Sequence, residues 1–155
     1  EVTRKLMEMG ATVVFENNSV FVEAKKPLAA VDIETRPFPG FPTDMQAQMM
    51  ALLSLAKGTS CIKEEVFENR FMHAQELMRM GAQIRIHKDQ AVVKGVKALS
   101  SAQVKITDLR AGAALVMASL AAEGESVIYG LHHLKRGYDQ LWKKLEALGA
   151  LVSFS

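Results

Sequence analysis

One pattern recurs three times in the 155-residue sequence: a helical stretch ends in Gly-Ala and runs directly into strand-like residues. In each copy the glycine occupies the position at which helices end in a left-handed residue, a conformation that glycine adopts without steric cost. Shorter motifs recur in the same order at spacings of about 65 residues, so the chain contains an internal repeat. The Gly-Ala segments are residues 6–13, 77–84 and 145–152, and the shorter matches are Thr43-Asp44 with Thr107-Asp108, Lys57-Gly58 with Glu123-Gly124, and Asn69-Arg70-Phe71 with Lys135-Arg136-Gly137.

Each full copy predicts elements in the order β-α-β-α-β-β, preceded in the chain by a hairpin that turns at Asn17-Asn18. The strands follow from alternating apolar residues, and the helices from longer apolar periods with capping residues. We expect Thr43 to cap the first helix and Gly58 to end it. In the first full copy the predicted strands cover 31–35, 60–63, 84–86 and 91–93, the predicted helices cover 44–57 and 71–80, and a turn lies at Lys88-Asp89.

The first helix of each copy is apolar nearly all round, whereas the second is amphipathic. Helices that are apolar on every side belong in the interior of a domain. We therefore predict an α+β fold in which the first helices pack together inside and the sheets face outward. The expected organisation is a single domain over 1–155, with a partial unit at about 1–27, a full unit at about 28–97 and a second unit at about 98–155.

The composition excludes several classes of protein. A net charge of +2 is too small to indicate a nucleic-acid binder, and no apolar run approaches the length of about 18 residues that a membrane span needs. The single cysteine, Cys61, rules out an internal disulfide and suits a cytoplasmic protein. Because the sequence begins at Glu1 in what reads as mid-helix, we expect it to be part of a longer protein.

Two Thr-Asp pairs, Thr43-Asp44 and Thr107-Asp108, mark the starts of the buried helices. One interpretation is helix capping, since a threonine N-cap followed by a carboxylate in the first turn is common in structural helices. The other is an anion site, because Arg110 places a cation in the first turn, where it opposes the helix dipole and requires a compensating anion. Both interpretations remain open on the sequence alone.

Two further arginines, Arg70 and Arg136, occupy matching positions before the second helices. The repeat predicts that they and Arg110 lie at one end of the domain, where three guanidiniums can bind a small substrate with several negative charges, such as a phosphorylated carboxylic acid. Asp44 among them can accept a proton from a substrate hydroxyl. The alternative is that each arginine is an exposed cation without a ligand.

Other polar residues are weaker candidates. His73 and His132-His133 lack the spacing of metal ligands, so we expect them to face solvent or lie in loops. Cys61 lies in a predicted strand with no base nearby in sequence, which favours a small buried residue over a nucleophile. The sequence predicts no metal site and contains no Gly-rich nucleotide-binding loop.

Four segments together resemble the UDP-N-acetylglucosamine 1-carboxyvinyltransferase family of enolpyruvyl transferases: residues 41–48, 66–73, 107–111 and 136–138. The resemblance implies a two-domain enzyme, built as inside-out α/β barrels of repeated units, of which this chain is a C-terminal portion. The implied reaction transfers the enolpyruvyl group of phosphoenolpyruvate to the 3′-hydroxyl of UDP-N-acetylglucosamine, in peptidoglycan synthesis. No metal or organic cofactor is implied, and the chain alone is expected to be inactive because the missing N-terminal domain holds the other half of the site.

The resemblance also implies roles for individual residues. Asp44 is the implied general base and contacts the sugar hydroxyl, and Arg136 is the other implied catalytic residue. Val66 contacts the UDP-sugar through its backbone, and Asp108 supports Asp44. The residues implied to bind substrate are Asp44, Val66, Arg70, Asp108, Arg110 and Arg136.

One position departs from the family pattern, because Lys135 stands where an aspartate is expected before Arg136. Two alternatives to this function remain. The first is an enzyme of the same fold that acts on shikimate phosphate, against which the motifs around Arg70 and Arg136 argue. The second is a non-catalytic binding module built from the same repeats.

Overall fold

The computed structural model describes residues 1–153, which form five helices and eight strands. The helices are α1 Val2–Glu8, α2 Gln46–Leu53, α3 Met72–Arg79, α4 Leu109–Ala121 and α5 Leu141–Ala147. The strands are β1 Thr12–Glu16, β2 Ser19–Glu23, β3 Ile33–Thr35, β4 Thr59–Glu64, β5 Gln83–His87, β6 Gln90–Lys94, β7 Gln103–Lys105 and β8 Val127–Tyr129. Two 3-10 turns, Thr43–Met45 and Leu131–Arg136, precede α2 and α5.

The complete repeat unit runs β3-α2-β4-α3-β5-β6, which confirms the predicted order of its elements. Its sheet has the spatial order β3-β4-β6-β5, with β3 parallel to β4 and the other pairs antiparallel. Helix α2 makes the crossover that a parallel strand pair requires, whereas β5 and β6 are joined by the tight turn predicted at Lys88-Asp89. The second unit repeats the parallel pair, as β7 and β8, around α4.

The sheet of the complete unit has one buried and one exposed face. Along β4 the side chains of Ser60, Ile62 and Glu64 are buried, and along β6 those of Ala91 and Val93 are buried, while their neighbours are exposed or half-buried. This alternation follows from the two-residue period of a strand. The sheet therefore faces solvent on one side and the helices on the other, as predicted.

Helices α2 and α4 pack against each other at the centre of the core. Seven of the eight residues of α2 are buried, which confirms the prediction of an interior helix. Helix α4 is less enclosed, because Met117 and Leu120 are 45% and 49% exposed in the described part of the chain. The sequence overstated the burial of α4, since an all-apolar helix does not reveal which of its faces has a neighbour.

The strands of residues 1–153 form three separate sheets of two, four and two strands rather than a closed barrel. Strands β3 and β5 are the edges of the four-stranded sheet, and neither pairs with a strand of another sheet. The mixed α and β composition agrees with the prediction, but the inside-out barrel is not closed by these residues. Barrel closure needs every edge strand to have a partner.

The predicted hairpin turn and the glycine ends of α1 and α3 are confirmed, but the prediction that Gly58 ends α2 is wrong. Helix α2 already ends at Leu53, because the backbone N–H groups of Leu55 and Ala56 bond to carbonyls three residues back and so leave the α-helical pattern.

Strands β1 and β2 pair from Thr12 to Glu23 and turn through Asn17, whose φ is 43°. Gly10 and Gly81 end α1 and α3 with φ of 99° and 91°, in the left-handed region that glycine adopts most easily. The expected strand at residues 151–152 is absent, and residues 154–155 lie outside the described part of the chain.

Within residues 1–153, none of the helices has the length and apolar character that crossing a membrane requires.

Two leucines of α4 provide a matched test of this packing. Leu115→Ala removes a fully buried side chain and should lower the free energy of unfolding by about 2–5 kcal/mol. Leu120→Ala, at a position 49% exposed, should lower it by about 1 kcal/mol or less. Urea unfolding followed by circular dichroism measures both, and equal losses would contradict the assignment of the buried face.

Candidate anion and proton-transfer site

The site centres on Asp44, which lies in the 3-10 turn Thr43–Met45 just before α2. Its Oδ1 accepts a hydrogen bond from Arg110 Nε at 2.5 Å, and Arg70 Nη2 lies 3.9 Å from the same oxygen. Arg110 belongs to the first turn of α4, where a cation opposes the helix dipole. Asp44, from the neighbouring repeat unit, therefore compensates this cation; the sequence called for an anion here but did not identify which one.

The ion pair contributes little to stability, because both side chains are partly exposed. Asp44 is 62% and Arg110 35% exposed, and pairs of this kind contribute roughly 0–1 kcal/mol. A ligand anion can compete for the guanidinium at a similarly small cost. The arrangement is thus an accessible pair of cations around a carboxylate, suited to an anionic substrate that carries a hydroxyl.

Thr43 does not cap α2 as the sequence predicted. The residues at the helix start make no side-chain cap hydrogen bond, and α2 begins only at Gln46. Thr43 Oγ1 instead donates to Glu64 Oε2 at 3.0 Å. The prediction failed because Glu64, distant in sequence, competes for the hydroxyl that local capping would have used.

The carboxylate of Glu64, only 4% exposed, shapes the loop after β4. Its Oε1 accepts hydrogen bonds from the backbone N–H groups of Val66 and Phe67, at 3.0 and 3.1 Å. These bonds and the one from Thr43 satisfy both oxygens of a buried anion, which is costly to leave unpaired. Glu64 therefore holds the Val66 backbone beside the turn that contains Asp44, a role that the sequence analysis missed.

Arg70 is held by the same loop. Its guanidinium carbon lies 4.5 Å from the centre of the Phe67 ring, a cation–π distance. The Nε atom is buried without a hydrogen-bond partner among residues 1–153. The stacking holds the guanidinium near Asp44, with its Nη2 atom on the side of that carboxylate.

Asp108 is the N-cap of α4. Its Oδ1 accepts from the backbone N–H groups of Arg110 at 2.9 Å and Ala111 at 3.0 Å, while its own backbone is extended. Thr107 was the expected cap, and the structure shifts that role by one residue. Asp108 thus orients the helix turn that carries Arg110.

Arg136 ends the 3-10 turn Leu131–Arg136 and is exposed, without an ion pair among the described residues. The turn nevertheless packs on the start of α4. A Cβ added at Gly137 would lie 2.8 Å from Leu109 Cδ2, so a larger residue at this position would require the Leu109 side chain to move. The structure therefore places Arg136 beside the start of α4, without an ion pair to Asp44. The Nζ atom of the neighbouring Lys135 lies 5.8 Å from the centre of the Trp142 ring.

The expectation that His73 faces solvent is wrong, because this side chain is 3% exposed. Burial lowers the pKa of His73 to about 4; the Asp108 carboxylate opposes this shift and the charge of Arg70 adds to it. His73 lies on the buried face of α3 together with Leu77. The four-residue spacing of these two positions was the signal in the sequence that could have revealed its burial.

The remaining candidates show no arrangement for catalysis. Cys61 is half-buried, and its backbone N–H donates to Asp32 Oδ1 at 2.7 Å. The rings of His132 and His133 lie 4.1 Å apart on the 3-10 turn. Among residues 1–153, no group of three His, Cys, Asp or Glu side chains is placed to hold a metal ion.

A family model described as EPSP synthase (3-phosphoshikimate 1-carboxyvinyltransferase) matches residues 1–145. The chain belongs to this family. Among curated family members, UDP-N-acetylglucosamine 1-carboxyvinyltransferase 1 of Caldanaerobacter subterraneus subsp. tengcongensis is 55% identical over 97% of the chain. The UDP-N-acetylglucosamine 1-carboxyvinyltransferase of Gloeobacter violaceus is also 55% identical over 97% of the chain. The chain spans only 36% and 33% of these two relatives, about a third of each.

Solved structures of this family show the same fold. The enolpyruvyl transferase NikO from Streptomyces tendae matches 99% of the chain with a TM-score of 0.92 and 31% identity, and the chain covers 36% of it. EPSP synthase from Acinetobacter baumannii matches 96% of the chain with a TM-score of 0.69 at 19% identity, with 35% of that structure covered. The second likeness concerns the fold alone.

The buried His73 should make the free energy of unfolding depend on pH. Since its pKa falls from 6.5 to about 4 on folding, the unfolded chain binds the proton more readily between these values. The free energy of unfolding should therefore decrease as pH falls from 6.5 to 4, by about 3 kcal/mol from this residue, and change no further below that window.

The measurement is urea unfolding between pH 7 and pH 4 for the unchanged protein, His73→Gln and His87→Gln. The first substitution should remove this part of the pH dependence. The second replaces an exposed histidine of β5 and should leave the dependence intact. Carboxylates contribute to the pH dependence of all three proteins alike. If the free energy of unfolding had the same slope against pH in all three, the conclusion that His73 is buried and neutral would be contradicted.

Proposed function

We propose that this chain forms one wall of the active site of an enzyme that transfers the enolpyruvyl group of phosphoenolpyruvate to the 3′-hydroxyl of UDP-N-acetylglucosamine. The proposed enzyme has two domains, and this chain is a C-terminal portion with units at about 1–27, 28–97 and 98–155. The chain spans only about a third of the length of its curated relatives, which supports the proposal that it is part of a longer protein. The other wall of the cleft comes from the rest of that protein.

The observation that carries the proposal is the position of Asp44 between Arg110 and Arg70. Transfer to a hydroxyl requires that its oxygen bonds to the enolpyruvyl carbon, that its proton leaves, and that the bond from that carbon to the phosphate oxygen breaks. Asp44 is the general base that accepts the proton, since its carboxylate is exposed next to the cations. The two arginines bind the carboxylate and phosphate of phosphoenolpyruvate and stabilise the charge on the departing phosphate.

The remaining site residues complete the substrate contacts. The backbone of Val66, held by Glu64, contacts the UDP-sugar. Asp108 supports the site by fixing the helix turn that carries Arg110. Arg136 binds phosphoenolpyruvate from the 3-10 turn that packs against α4. Arg136 is exposed, which suits a cation whose partner is the substrate.

The choice of sugar nucleotide rests on the relatives. Those that are 52–55% identical over nearly the whole chain carry the name UDP-N-acetylglucosamine 1-carboxyvinyltransferase. The proposed setting is therefore the cytoplasm, where the product enters peptidoglycan synthesis and so supports the cell wall, cell shape and cell division. The alternative acceptor, shikimate 3-phosphate, is favoured only by the description of the family model.

Ligand binding to the full-length protein distinguishes these acceptors. UDP-N-acetylglucosamine at 100 times its Kd should stabilise the protein by about 2.7 kcal/mol and raise its Tm, because it binds the folded state alone. Shikimate 3-phosphate at the same concentration should leave Tm unchanged. Thermal unfolding followed by fluorescence measures both. Protection by shikimate 3-phosphate instead would select the alternative, and protection by neither would favour a non-catalytic module.

Asp44→Asn tests the proposed base in the full-length enzyme. The amide keeps the size of the side chain but cannot accept the proton, so turnover should fall about 100- to 10,000-fold. The free energy of unfolding should change by about 1 kcal/mol or less, since the ion pair between Asp44 and Arg110 is partly exposed. Phosphate release with both substrates measures the rate. Glu16→Gln, on the exposed strand β1, is the control and should retain full activity; a similar rate for Asp44→Asn would contradict the assignment.

A further inference from the structure

We propose that Glu64 and Thr43 are positioning residues, which hold the turn that carries Asp44 at a fixed place relative to the loop of residues 65–70. Glu64 is the last residue of β4 and is 4% exposed. This inference rests on the proposed function, in which Asp44 is the base and the loop supplies the Val66 backbone and one arginine to the substrates. The two residues act through these groups and not on the reacting atoms.

The Glu64 carboxylate joins the two segments through hydrogen bonds to both of its oxygens. Its Oε2 accepts from Thr43 Oγ1 at 3.0 Å, and its Oε1 accepts from the backbone N–H groups of Val66 at 3.0 Å and Phe67 at 3.1 Å. Hydrogen bonds to an ionised acceptor are stronger than those between neutral groups. Since Thr43 immediately precedes Asp44, a single side chain connects the turn of the base to the loop.

Two further hydrogen bonds restrain the start of this loop. The backbone N–H of Glu64 donates to the carbonyl oxygen of Asp89 at 2.8 Å. That of Glu65 donates at 3.0 Å to Oγ1 of Thr35, a fully buried residue at the end of β3. The four consecutive backbone N–H groups of residues 64–67 therefore all have acceptors, so the loop leaves the sheet with its backbone held at each residue.

The second repeat unit forms the same parallel strand pair without these polar groups. When the units are aligned on the matched glycines before β4 and β8, Glu64 corresponds to Gly130. In the first unit Thr35 lies opposite Glu64; in the second, one residue beyond the paired residues of β7 and β8, the fully buried Ile106 lies opposite Gly130. The fold of a unit therefore does not require a carboxylate at this position. Because a buried carboxylate is costly unless it is hydrogen-bonded, its presence in the first unit indicates a use for the bonds that it makes there.

The bond from Thr43 is the side-chain link between the Asp44 turn and the loop. The turn makes no side-chain cap hydrogen bond of its own, and Asp44 is 62% exposed. A general base must lie within hydrogen-bond reach of the proton that it accepts, so a small displacement of the turn lowers the rate of the chemical step. Affinity for the sugar nucleotide depends less on this bond, because Glu64 Oε1 holds the Val66 backbone whether or not Thr43 has a hydroxyl.

Matched variants of the full-length enzyme test this role. Thr43→Val keeps the shape of the side chain but lacks the hydroxyl, whereas Thr43→Ser keeps a hydroxyl that can donate to Glu64. Glu64→Leu removes the bonds to the turn and to the loop together. Thr12→Val makes the same exchange on the exposed strand β1 and is the control. The quantities measured for each variant are kcat, KM for each substrate and Tm.

Thr43→Val should lower kcat about tenfold, as a misplaced base does, with KM for UDP-N-acetylglucosamine within about twofold of the unchanged enzyme. Thr43→Ser should recover most of this loss, and Thr12→Val should behave as the unchanged enzyme. Glu64→Leu should lower kcat and also raise KM for UDP-N-acetylglucosamine about tenfold, because the Val66 backbone is then released. A change in kcat alone in one variant and in both constants in the other separates the two links that Glu64 makes.

An unchanged kcat in Thr43→Val, equal losses in Thr43→Val and Thr43→Ser, or loss of folding in Thr43→Val would overturn the proposal. So would an unaltered KM for UDP-N-acetylglucosamine in a folded Glu64→Leu; if that variant does not fold, the two Thr43 variants decide between the outcomes. Inactivity of the unchanged full-length enzyme would instead reject the proposed function itself.

Discussion

The packing of α2 against α4 is the contact on which both the core and the candidate site depend. Each helix is rich in apolar side chains, and burial of apolar surface drives the two together at about 25 cal/mol for each Å² removed from water. The helices come from different repeat units, so their contact joins the units. The same contact brings their starting turns together, which places Asp44 within hydrogen-bond distance of Arg110. The polar site is thus a geometric consequence of the apolar core.

Electrostatics at these helix starts is arranged for binding more than for stability. Arg110 lies at the end of α4 where the helix dipole disfavours a cation. Asp44 pairs with its guanidinium, and Asp108 accepts hydrogen bonds from the backbone N–H groups of the same turn. Arg70 stacks on Phe67, and its Nη2 atom lies 3.9 Å from Asp44, beyond hydrogen-bond distance. Partly exposed charges that lack a full set of partners add little to folding, yet they are available to an anionic ligand. These features distinguish the site from an ordinary capped helix.

Much of the architecture could be predicted from local patterns, but the partners of polar side chains could not. Strand alternation, left-handed glycines and the hairpin at Asn17-Asn18 are decided by neighbouring residues, and they were predicted correctly. The cap at Thr43 was wrong because Glu64, on another element, takes its hydroxyl. The burial of His73 was missed because the sequence was searched for metal-ligand spacing, whereas the signal was the four-residue spacing from the apolar Leu77 on the same helix face. The repeat predicted the fold of each unit, whereas the division of residues 1–153 into three separate sheets depends on how neighbouring units pair their edge strands.

By itself the sequence determined the repeat, the order of its elements and the identity of the charged residues at the helix starts, because these follow from periodicity and from local conformational preference. Only the tertiary structure decided which charges meet. Asp44 and Arg110 are brought into contact by the packing of two helices, and Arg136 remains apart from Asp44 although its place in the repeat matches that of Arg70. The reason is physical: the repeat sets backbone geometry within a unit, whereas contacts between units depend on how apolar surfaces fit together.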